Sequence, residues 1–493
     1  MPNPFAGRAA PGDRFDPRLL APMMLGAILN PVNSSIIAVA LVPIGIALGA
    51  PASETAWLVS ALYLATAIGQ PLAGRFVDIY GPRRLFLIGA ALTVLAGVVG
   101  TVAPDIWVLV AARVVLGFGT CAGYPAAMSL IRRESDRTGV ASPAGVLTIL
   151  SITTQTIAVV GPTLGGLLIG VGGWRSTLAV NIVLGVACLV LGWLYLPSQE
   201  PDTTPSADTP GVDSAGILLF AVTLIALLLF LMTPALSLSW LPVLAIGAGV
   251  AFAWWELRHP DPFIDVRVLA GNIPLLATYA RMFTASVVSY CFIYGFTQWL
   301  EQGRGLNPAT AGLVLLPTFA VGILVTALTG RRPQVRGKLI AGAVAQIVCC
   351  ALLFVLGGSS PVWLLLIVVI VLGIPQGLVN LANQNALYHQ ARPDKIGASA
   401  GLLRTFMYLG AMVASSATGF FYGRKATTTG LHHLAWFVIA LAAVFLALTL
   451  LDRGLAGVGT DEAGMRGTPT AQTTPAAAPG RQIARGTAGR QEL

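Results

Sequence analysis

The sequence predicts an all-α membrane protein with fourteen transmembrane helices, arranged as two six-helix bundles plus an inserted helix pair. Hydrophobic residues make up 56% of the 493-residue chain and charged residues only 10%, whereas a soluble domain carries about 25% charged residues. Apolar runs long enough to cross a bilayer, about 20 helical residues each, recur along the chain. A charged loop in the first half has a degraded copy in the second half, and such an internal repeat predicts two related bundles.

The apolar runs follow one another between two polar ends, with the seventh and eighth separated only by residues 233–239. Merging these two would give thirteen spans. Lysines and arginines concentrate in alternate loops and at both ends, which predicts that both termini are cytoplasmic in a multi-pass protein of the plasma (inner) membrane. The runs are residues 19–48, 54–73, 85–103, 106–131, 143–171, 176–196, 215–232, 240–257, 273–298, 309–330, 339–357, 362–387, 397–423 and 431–451.

The polar stretches divide the chain into segments. A linker after the sixth run is rich in Pro, Ser, Thr and Asp and has no Lys or Arg, and the C-terminal tail has the composition of a disordered segment. The predicted segments are a cytoplasmic head (1–18), an N-terminal six-helix bundle (19–196), the linker (197–214), the inserted helix pair (215–257), a C-terminal six-helix bundle (258–451) and the tail (452–493).

Composition excludes several classes of function. The net charge of +9 is spread over short loops, so it forms no basic face for nucleic acid. The five cysteines lie in apolar runs without metal-binding or redox spacing. The sequence shows no Walker loop, nucleophile–base pair or metal cluster, so we expect no enzyme activity, no ATP-driven pumping, no metal and no bound cofactor.

The charged loop in the first half spans residues 74–84 and reads Gly-Arg-Phe-Val-Asp-Ile-Tyr-Gly-Pro-Arg-Arg. Pro82 follows Gly81, and this pair predicts a tight turn between two helices. Gly74 permits a close approach of two backbones where the first helix ends. The degraded copy, residues 330–338, lacks the aspartate. A positively charged topology anchor is one interpretation of this loop.

The spacing Gly-x3-Asp-x2-Gly-x-Arg-Arg, carried by Gly74, Asp78, Gly81, Arg83 and Arg84, resembles a signature of the major facilitator superfamily. In that family the loop joins helices 2 and 3 and acts as a cytoplasmic latch for the outward-facing state. A carboxylate is stabilised at the positive end of a helix, so we expect Asp78 near the start of helix 13, around residues 397–399. We also expect one of the two arginines to reach acids at the end of helix 4, Glu134 or Asp136.

Helix 4 carries a second family motif. Arg113, Gly117 and Gly119 are similar to the family's Arg-x2-Gln-Gly-x-Gly, although Leu116 replaces the glutamine. A related signature in helix 1 usually has an aspartate where this chain has Asn33. No acid or histidine falls near the middle of an apolar run, so the usual carriers of a transported proton are missing from the centre.

Helix 5 reads Gly161-Pro162-Thr-Leu-Gly165-Gly166, which closely matches the Gly-Pro-x2-Gly-Gly signature of antiporters. With Asn181, it resembles the fourteen-helix drug:proton antiporter branch of the superfamily. From chemistry alone, simple helix packing is an equally good interpretation of these small residues. The resemblance implies that Gly165 and Gly166 face helices of the other half.

Three arginines, Arg113, Arg281 and Arg404, lie inside apolar runs. Snorkelling to the membrane surface is the alternative for Arg281 and Arg404, whereas Arg113 belongs to a matched motif. Polar side chains in the runs are candidates for a substrate cavity, although each is equally able to join helix to helix. The candidates are Asn30, Asn33, Tyr63, Gln70, Arg113, Tyr124, Gln155, Tyr290, Tyr294, Asn380, Asn383, Gln384 and Arg404.

The resemblance implies a secondary active transporter that exports amphipathic drugs or metabolites by alternating access, coupled to protons. Its partners would be a small-molecule substrate and the lipid bilayer, with no nucleic acid, and the protein would be a monomer. One alternative is a carrier of anionic or neutral metabolites or lipids, which the all-positive intramembrane charge favours. Another is a non-transporting membrane receptor or assembly partner that uses the linker and the tail.

Overall fold

The computed structural model describes residues 15–50, 52–55, 57–138, 144–197, 213–232, 236–260, 262–264, 266–306, 308–330, 332, 334–423 and 425–456. All regular secondary structure within these ranges is helical, which confirms the all-α prediction. The predicted linker and tail lie almost entirely outside the described residues, as do residues 1–14 of the head.

Each predicted apolar run coincides with a helix. Short helical turns at Pro17–Leu19, Ala52–Thr55, Leu236–Leu238, Val266–Gly271, Leu353–Val355, Pro393–Lys395 and Arg453–Ala456 flank them. The helices are α1 (Leu20–Leu48), α2 (Trp57–Tyr80), α3 (Pro82–Val102), α4 (Ile106–Thr138), α5 (Ala144–Gly172), α6 (Ser176–Tyr195), α7 (Ser214–Met232), α8 (Trp240–Glu256), α9 (Ile273–Gln302), α10 (Pro308–Thr329), α11 (Val335–Leu352), α12 (Val362–Gln390), α13 (Ile396–Tyr422) and α14 (Thr428–Leu451).

Eleven helices in the described part of the chain are long and apolar enough to cross a membrane. The helices α2, α5 and α8 are not among them, so the count of fourteen spans is not confirmed. Helix α8, for example, has only 17 residues, which is short of the roughly 20 that a span needs. Polar side chains such as Tyr63 and Gln70 lower the hydropathy of α2, and Gln70 is buried against other helices rather than exposed to lipid.

The surface of the helices is strongly apolar. Val171, Phe420 and Leu451 expose 92%, 82% and 78% of their area, and Trp193 exposes 68%. Water-soluble monomers rarely expose apolar patches this extensive. The chain is therefore a multi-pass membrane protein whose outer surface contacts lipid.

The helices pack in two groups. In the first group, α1 lies against α5, α2 against α4, and α3 against α4 and α6; in the second, α9 lies against α13 and α14, and α12 against α10 and α11. The groups meet mainly where α2 packs along α13 and α5 along α10. Helices α7 and α8 pack on each other, and α7 also contacts α2 and α13. This grouping is what two six-helix bundles would produce, while the domain boundaries themselves stay a prediction.

The predicted turn between α2 and α3 is present. Gly81 has φ 88°, a conformation that side chains with a Cβ rarely adopt. Pro82 is the first residue of α3, where its missing N–H costs no hydrogen bond. The end of the molecule that carries this turn, together with the starts of α1 and α13, is called the Gly81 face below.

Candidate functional site

A central cavity of about 420 Å³ lies between the two groups of helices. One wall comes from α1, α2 and α5, and the other from α9, α10, α12 and α13. Both groups therefore shape one internal site, as expected when a protein rocks two halves about a ligand.

Irregular backbone surrounds this cavity. Pro31 of α1 and Pro375 of α12 line it, and each removes a hydrogen bond from its helix. In α9, the segment Phe292–Phe296 forms a π-helical turn, a feature often found at functional sites. This turn places Ile293 and Tyr294 on the cavity wall. The helices are thus locally deformed where they meet the site.

Seven of the predicted cavity residues line the cavity, and they come from both groups of helices. Two of them connect the groups. The Tyr408 hydroxyl donates to Asn30 Oδ1 at 2.7 Å, and Gln155 Nε2 donates to Thr326 Oγ1 at 3.0 Å. The seven residues are Asn30, Tyr63, Gln155, Tyr290, Tyr294, Asn380 and Arg404.

The other six candidates lie outside the lining. Asn33 donates to Asn181 Oδ1 at 2.6 Å and to a carbonyl of its own helix, so it joins α1 to α6. Gln384 donates to Asn380 Oδ1 within α12. The remaining four are Gln70, Arg113, Tyr124 and Asn383, which expose 2%, 1%, 5% and 0% of their area. These six residues therefore lie in the packing between helices, which was the alternative given for each polar candidate.

The sequence-based candidates missed several lining residues. Tyr408 is the most informative omission, because it lies four residues after Arg404 on the same face of α13 and bridges to Asn30. That spacing was the available signal. The missed serines and the side chains next to them gave no signal in the sequence, because such residues are common in any apolar helix. The other missed residues include Ser34, Ser286, Ser289, Gln376 and Met407.

Arg113 is held by backbone carbonyls. Its Nε donates to Leu58 O at 2.9 Å, and its Nη2 donates to Asn33 O at 3.4 Å. It therefore braces α4 against α2 and α1 and does not face the cavity. The prediction that Arg113 lines a substrate cavity does not fit this placement.

Arg281 is fully buried and pairs with Asp452 at the end of α14, with 2.8 Å between Nη1 and Oδ2. Asp452 had been assigned to the cytoplasmic tail, and snorkelling had been the alternative for Arg281. The ion pair instead joins the end of α14 to α9. Removing one partner of a buried pair leaves an uncompensated charge.

We expect Asp452→Asn to lower the free energy of unfolding by about 3–5 kcal/mol, the usual cost of breaking a buried ion pair. Thermal unfolding of the purified protein in detergent measures the effect. The matched control is Asp394→Asn, which breaks the Arg392–Asp394 pair, whose side chains are 50% and 55% exposed. Exposed pairs contribute only about 0–1 kcal/mol. Equal unfolding temperatures for the two variants would show that the buried pair contributes no stability.

Arg404 lies in the cavity wall. It is eight residues from the start of α13, a depth of about 12 Å at 1.5 Å per residue. Its guanidinium carbon lies 4.1 Å from the ring centroid of Tyr124, and its Nη1 lies 3.6 Å from Met407 Sδ. An arginine at the centre of a membrane span costs about 2.5–3.5 kcal/mol on insertion scales. Within the described residues, its contacts are a ring and a thioether, and neither carries a compensating charge.

Asp78 joins the two groups at the Gly81 face. Its carboxylate accepts hydrogen bonds from Gly397 N at 2.9 Å and from Ala398 N at 2.8 Å. Both N–H groups lie in the first turn of α13, where they have no hydrogen-bond partner within the helix. The helix dipole also favours a negative charge at this position. The contact lies where the sequence predicted it, while its role as a latch in transport stays a prediction.

The arginines of the same loop do not reach the acids of α4, and that expectation was wrong. Arg83 donates to Trp193 O on α6 at 2.9 Å and lies over the Trp193 ring. Arg84 is exposed. Glu134 instead pairs with Arg137 one turn further along α4, at 2.6 Å, and accepts from the backbone of Asp16. Local partners therefore satisfy the acid that the loop was expected to bind.

Glycines allow α2 and α13 to touch at the Gly81 face. A Cβ added to Gly74 would lie 2.3 Å from Gly397 O, and one added to Gly401 would lie 2.2 Å from Gln70 O. Neither position can accept a side chain without separating the helices, because both contacts are to backbone atoms. The two groups are thus closed against each other at this face.

These motifs agree with a comparison that covers most of the chain. The family model of the Major Facilitator Superfamily matches residues 23–415. The chain belongs to this superfamily. It is therefore an MFS transporter, as the sequence motifs had indicated.

Relatives in the superfamily include a multidrug resistance protein and a protein named for export. The chain is 32% identical to the uncharacterized MFS-type transporter YwoD of Bacillus subtilis, over 82% of this chain and 89% of the relative. It is 30% identical to the multidrug resistance protein Stp of Mycobacterium tuberculosis, over 58% of this chain and 53% of the relative. It is 25% identical to the tetracenomycin C resistance and export protein of Streptomyces glaucescens, over 82% and 75%.

A solved structure shows the same fold. The human organic anion transporter MFSD10 superposes with a TM-score of 0.64, covering 89% of this chain and all of the other, at 14% sequence identity. At this identity the likeness concerns the fold alone. It places the chain's helical architecture within the MFS fold.

The superfamily motif in α4 serves helix packing around Arg113. A Cβ on Gly117 would lie 2.6 Å from Ala65 Cβ of α2, and one on Gly119 would lie 2.9 Å from Thr93 N of α3. The two glycines thus bring α4 close to both neighbours. This close contact lets Arg113 reach the carbonyls of α2 and α1.

The antiporter-like motif in α5 faces its own group of helices, and the expectation that it faces the other half was wrong. A Cβ on Gly161 would overlap Ser35 of α1, and one on Gly165 would lie 2.6 Å from Val39 Cγ2 of α1. A Cβ on Gly166 would meet no atom within 4 Å. The side chain of Pro162 lies outside the described residues. The motif therefore packs α5 on α1, which agrees with the alternative of simple helix packing.

Proposed function

We propose that this MFS transporter exports an amphipathic small molecule by alternating access, as a monomer in the plasma membrane with both termini cytoplasmic. The proposed architecture is that of the fourteen-helix drug:proton antiporter branch, with two six-helix bundles and an inserted pair, α7 and α8. The central cavity carries this proposal, because both groups of helices line it and their contact at the Gly81 face closes one end.

Opening that end requires the contacts between the groups to break. They include the two hydrogen bonds to Asp78 at the Gly81 face and, inside the cavity, the Tyr408–Asn30 and Gln155–Thr326 bonds. All four are polar contacts that water or a ligand can replace. The name of one relative, the tetracenomycin C resistance and export protein, supports export as the direction, and that of another, a multidrug resistance protein, is compatible with it.

We propose proton exchange as the coupling, with Asp78 as the carboxylate that takes up the proton. The described residues of the cavity lining include no Asp, Glu or His, so a titratable group must act from outside the cavity. Asp78 is suited to this role because its carboxylate bridges the two groups. Protonation would weaken its hydrogen bonds to Gly397 and Ala398, since bonds to a charged acceptor are stronger than bonds to a neutral one. Proton uptake would therefore favour opening at the Gly81 face.

Dye flux in proteoliposomes tests the proposal. We expect the purified protein to move amphipathic fluorescent dyes across the membrane, with a rate that rises several-fold when a pH gradient is imposed. A protonophore that collapses the gradient should return the rate to its basal value. Dye movement no faster than in protein-free liposomes, for dyes of negative, neutral and positive charge, would contradict the proposed function.

A further inference from the structure

We propose that the central cavity binds an organic anion with an aromatic ring, whose negative group contacts the guanidinium of Arg404. This inference names the substrate class of the proposed transport and rests on that function. It replaces Arg113 with Arg404 as the intramembrane charge that a substrate meets.

The three intramembrane arginines differ in what satisfies them. Arg113 donates to two backbone carbonyls, and Arg281 forms an ion pair with Asp452. Arg404 has the Tyr124 ring on one side and donates one weak hydrogen bond to Met407 Sδ. A guanidinium carries five N–H donors. Arg281 Nε also lacks a partner in the described structure, but Arg281 does not line the cavity. Arg404 does line it, and its described contacts leave most of its donors for a ligand.

The surroundings of Arg404 favour an acceptor that is planar and negatively charged. A guanidinium that lies over an aromatic ring still presents its in-plane N–H groups, and these match the two coplanar oxygens of a carboxylate. Arg404 is the charged side chain in the described lining of the cavity, and no carboxylate of the described residues lies within ion-pair distance of it. A bound anion would supply the charge that the protein does not.

Aromatic rings make up much of the remaining wall. Tyr63 and Tyr408 have ring centroids 5.9 Å apart, and those of Tyr290 and Tyr294 are 5.5 Å apart. All four line the cavity, and such rings favour stacked or edge-on contacts with a flat ligand.

Two polar atoms of the cavity residues also lack a partner. Ser34 Oγ and Gln155 Oε1 are buried without a hydrogen bond in the described structure. Buried polar atoms are normally paired, so these two are available to hydroxyl or carbonyl groups of a ligand. The cavity thus combines one cation, four tyrosine rings and free polar atoms, which together fit an aromatic acid or a phenolate.

Two dyes with the same ring system and opposite charge distinguish a site for organic anions from a site for amphipathic cations. Fluorescein is an anion at mildly alkaline pH, whereas rhodamine 123 is a cation on the same xanthene ring. Fluorescence polarisation with purified protein in detergent gives the affinity of each dye. We expect the wild-type protein to bind fluorescein at least about tenfold more tightly. We also expect Arg404→Gln to weaken fluorescein binding by at least about tenfold without weakening rhodamine 123.

The matched control is Arg258→Gln. Arg258 is exposed and also lies over an aromatic ring, with its guanidinium carbon 4.2 Å from the Trp254 centroid. This variant should bind both dyes like the wild type. Arg404→Lys keeps the positive charge and should retain part of the preference for fluorescein. This variant tests the role of the charge if Arg404→Gln does not fold.

The outcomes separate the anion site from the transport function when dye flux into proteoliposomes is measured in parallel. A wild-type protein that binds rhodamine 123 as tightly as fluorescein, or that does not bind fluorescein, overturns the anion site. An equal loss of both dyes in Arg404→Gln overturns it too. Fluorescein binding that depends on Arg404 but is accompanied by no flux of either dye supports the site and contradicts transport. Flux of rhodamine 123 above that of fluorescein supports transport and contradicts the site.

Discussion

The Asp78→Asn variant should transport at least about tenfold more slowly than the wild type while reaching the membrane in the same amount. The substitution removes the negative charge that accepts from Gly397 N and Ala398 N. Hydrogen bonds to charged groups contribute about 1.5–3 kcal/mol each, and about 1.4 kcal/mol corresponds to a factor of ten. The closed arrangement at the Gly81 face would lose much of its stability, so the transport cycle would seldom reach it. Dye flux in proteoliposomes, normalised to the amount of protein, measures the effect.

The control for this variant is Asp136→Asn. Asp136 lies near the same end of the molecule, where it is 60% exposed and pairs with Arg132 in its own helix. Exposed pairs of this kind contribute little, so transport should stay at the wild-type rate. Wild-type flux in Asp78→Asn would remove the proposed role of Asp78 in closure and in coupling.

Gly74→Ala should have an effect of similar size, for a steric reason. The new Cβ would lie 2.3 Å from Gly397 O and 2.8 Å from the Cα of Ala398. Both are backbone atoms, so α2 and α13 must move apart, and forcing extra atoms into a packed interface costs about 1–3 kcal/mol. We expect the separation to break the Asp78 hydrogen bonds as well and to lower dye flux at least about tenfold.

Gly337→Ala is the matched control for Gly74→Ala. Gly337 belongs to the degraded copy of the same loop, at the start of α11, and a Cβ there would meet no atom within 4 Å. Flux should be unchanged in this variant. A Gly74→Ala protein that transports like the wild type would show that close contact of α2 and α13 is not needed.

The sequence predicted features that depend on local patterning. Apolar runs located the helices because lipid requires them to be long and uncharged. Gly81 and Pro82 located a turn because their backbone preferences are intrinsic. Asp78 could be placed because a carboxylate just before a turn has few partners other than a helix end. The span count was less secure, since α2, α5 and α8 are helical without being among the eleven helices that are long and apolar enough to cross a membrane in the described part of the chain.

The features that the sequence did not predict depend on which helices become neighbours. The Arg83 contact crosses 110 residues to Trp193, and the Arg281–Asp452 pair crosses 171 residues. An arginine side chain is long and can reach any of several acceptors, so its sign of charge alone does not identify the partner. Helical periodicity shows that Gly161 and Gly165 share a face, but not that the face meets α1. The cavity position of Arg404, next to Tyr124, depends on the same tertiary information.

We expect the two groups of helices to separate at the Gly81 face during transport. Spin labels at Tyr80→Cys, at the end of α2, and Asp394→Cys, just before α13, report this separation by electron–electron double resonance. Both native residues are exposed, and the five native cysteines are buried and can be replaced beforehand. We expect a short distance in the unliganded protein and a second, longer distance, whose population increases at acidic pH and predominates in Asp78→Asn. A single short distance under all these conditions would contradict this expectation.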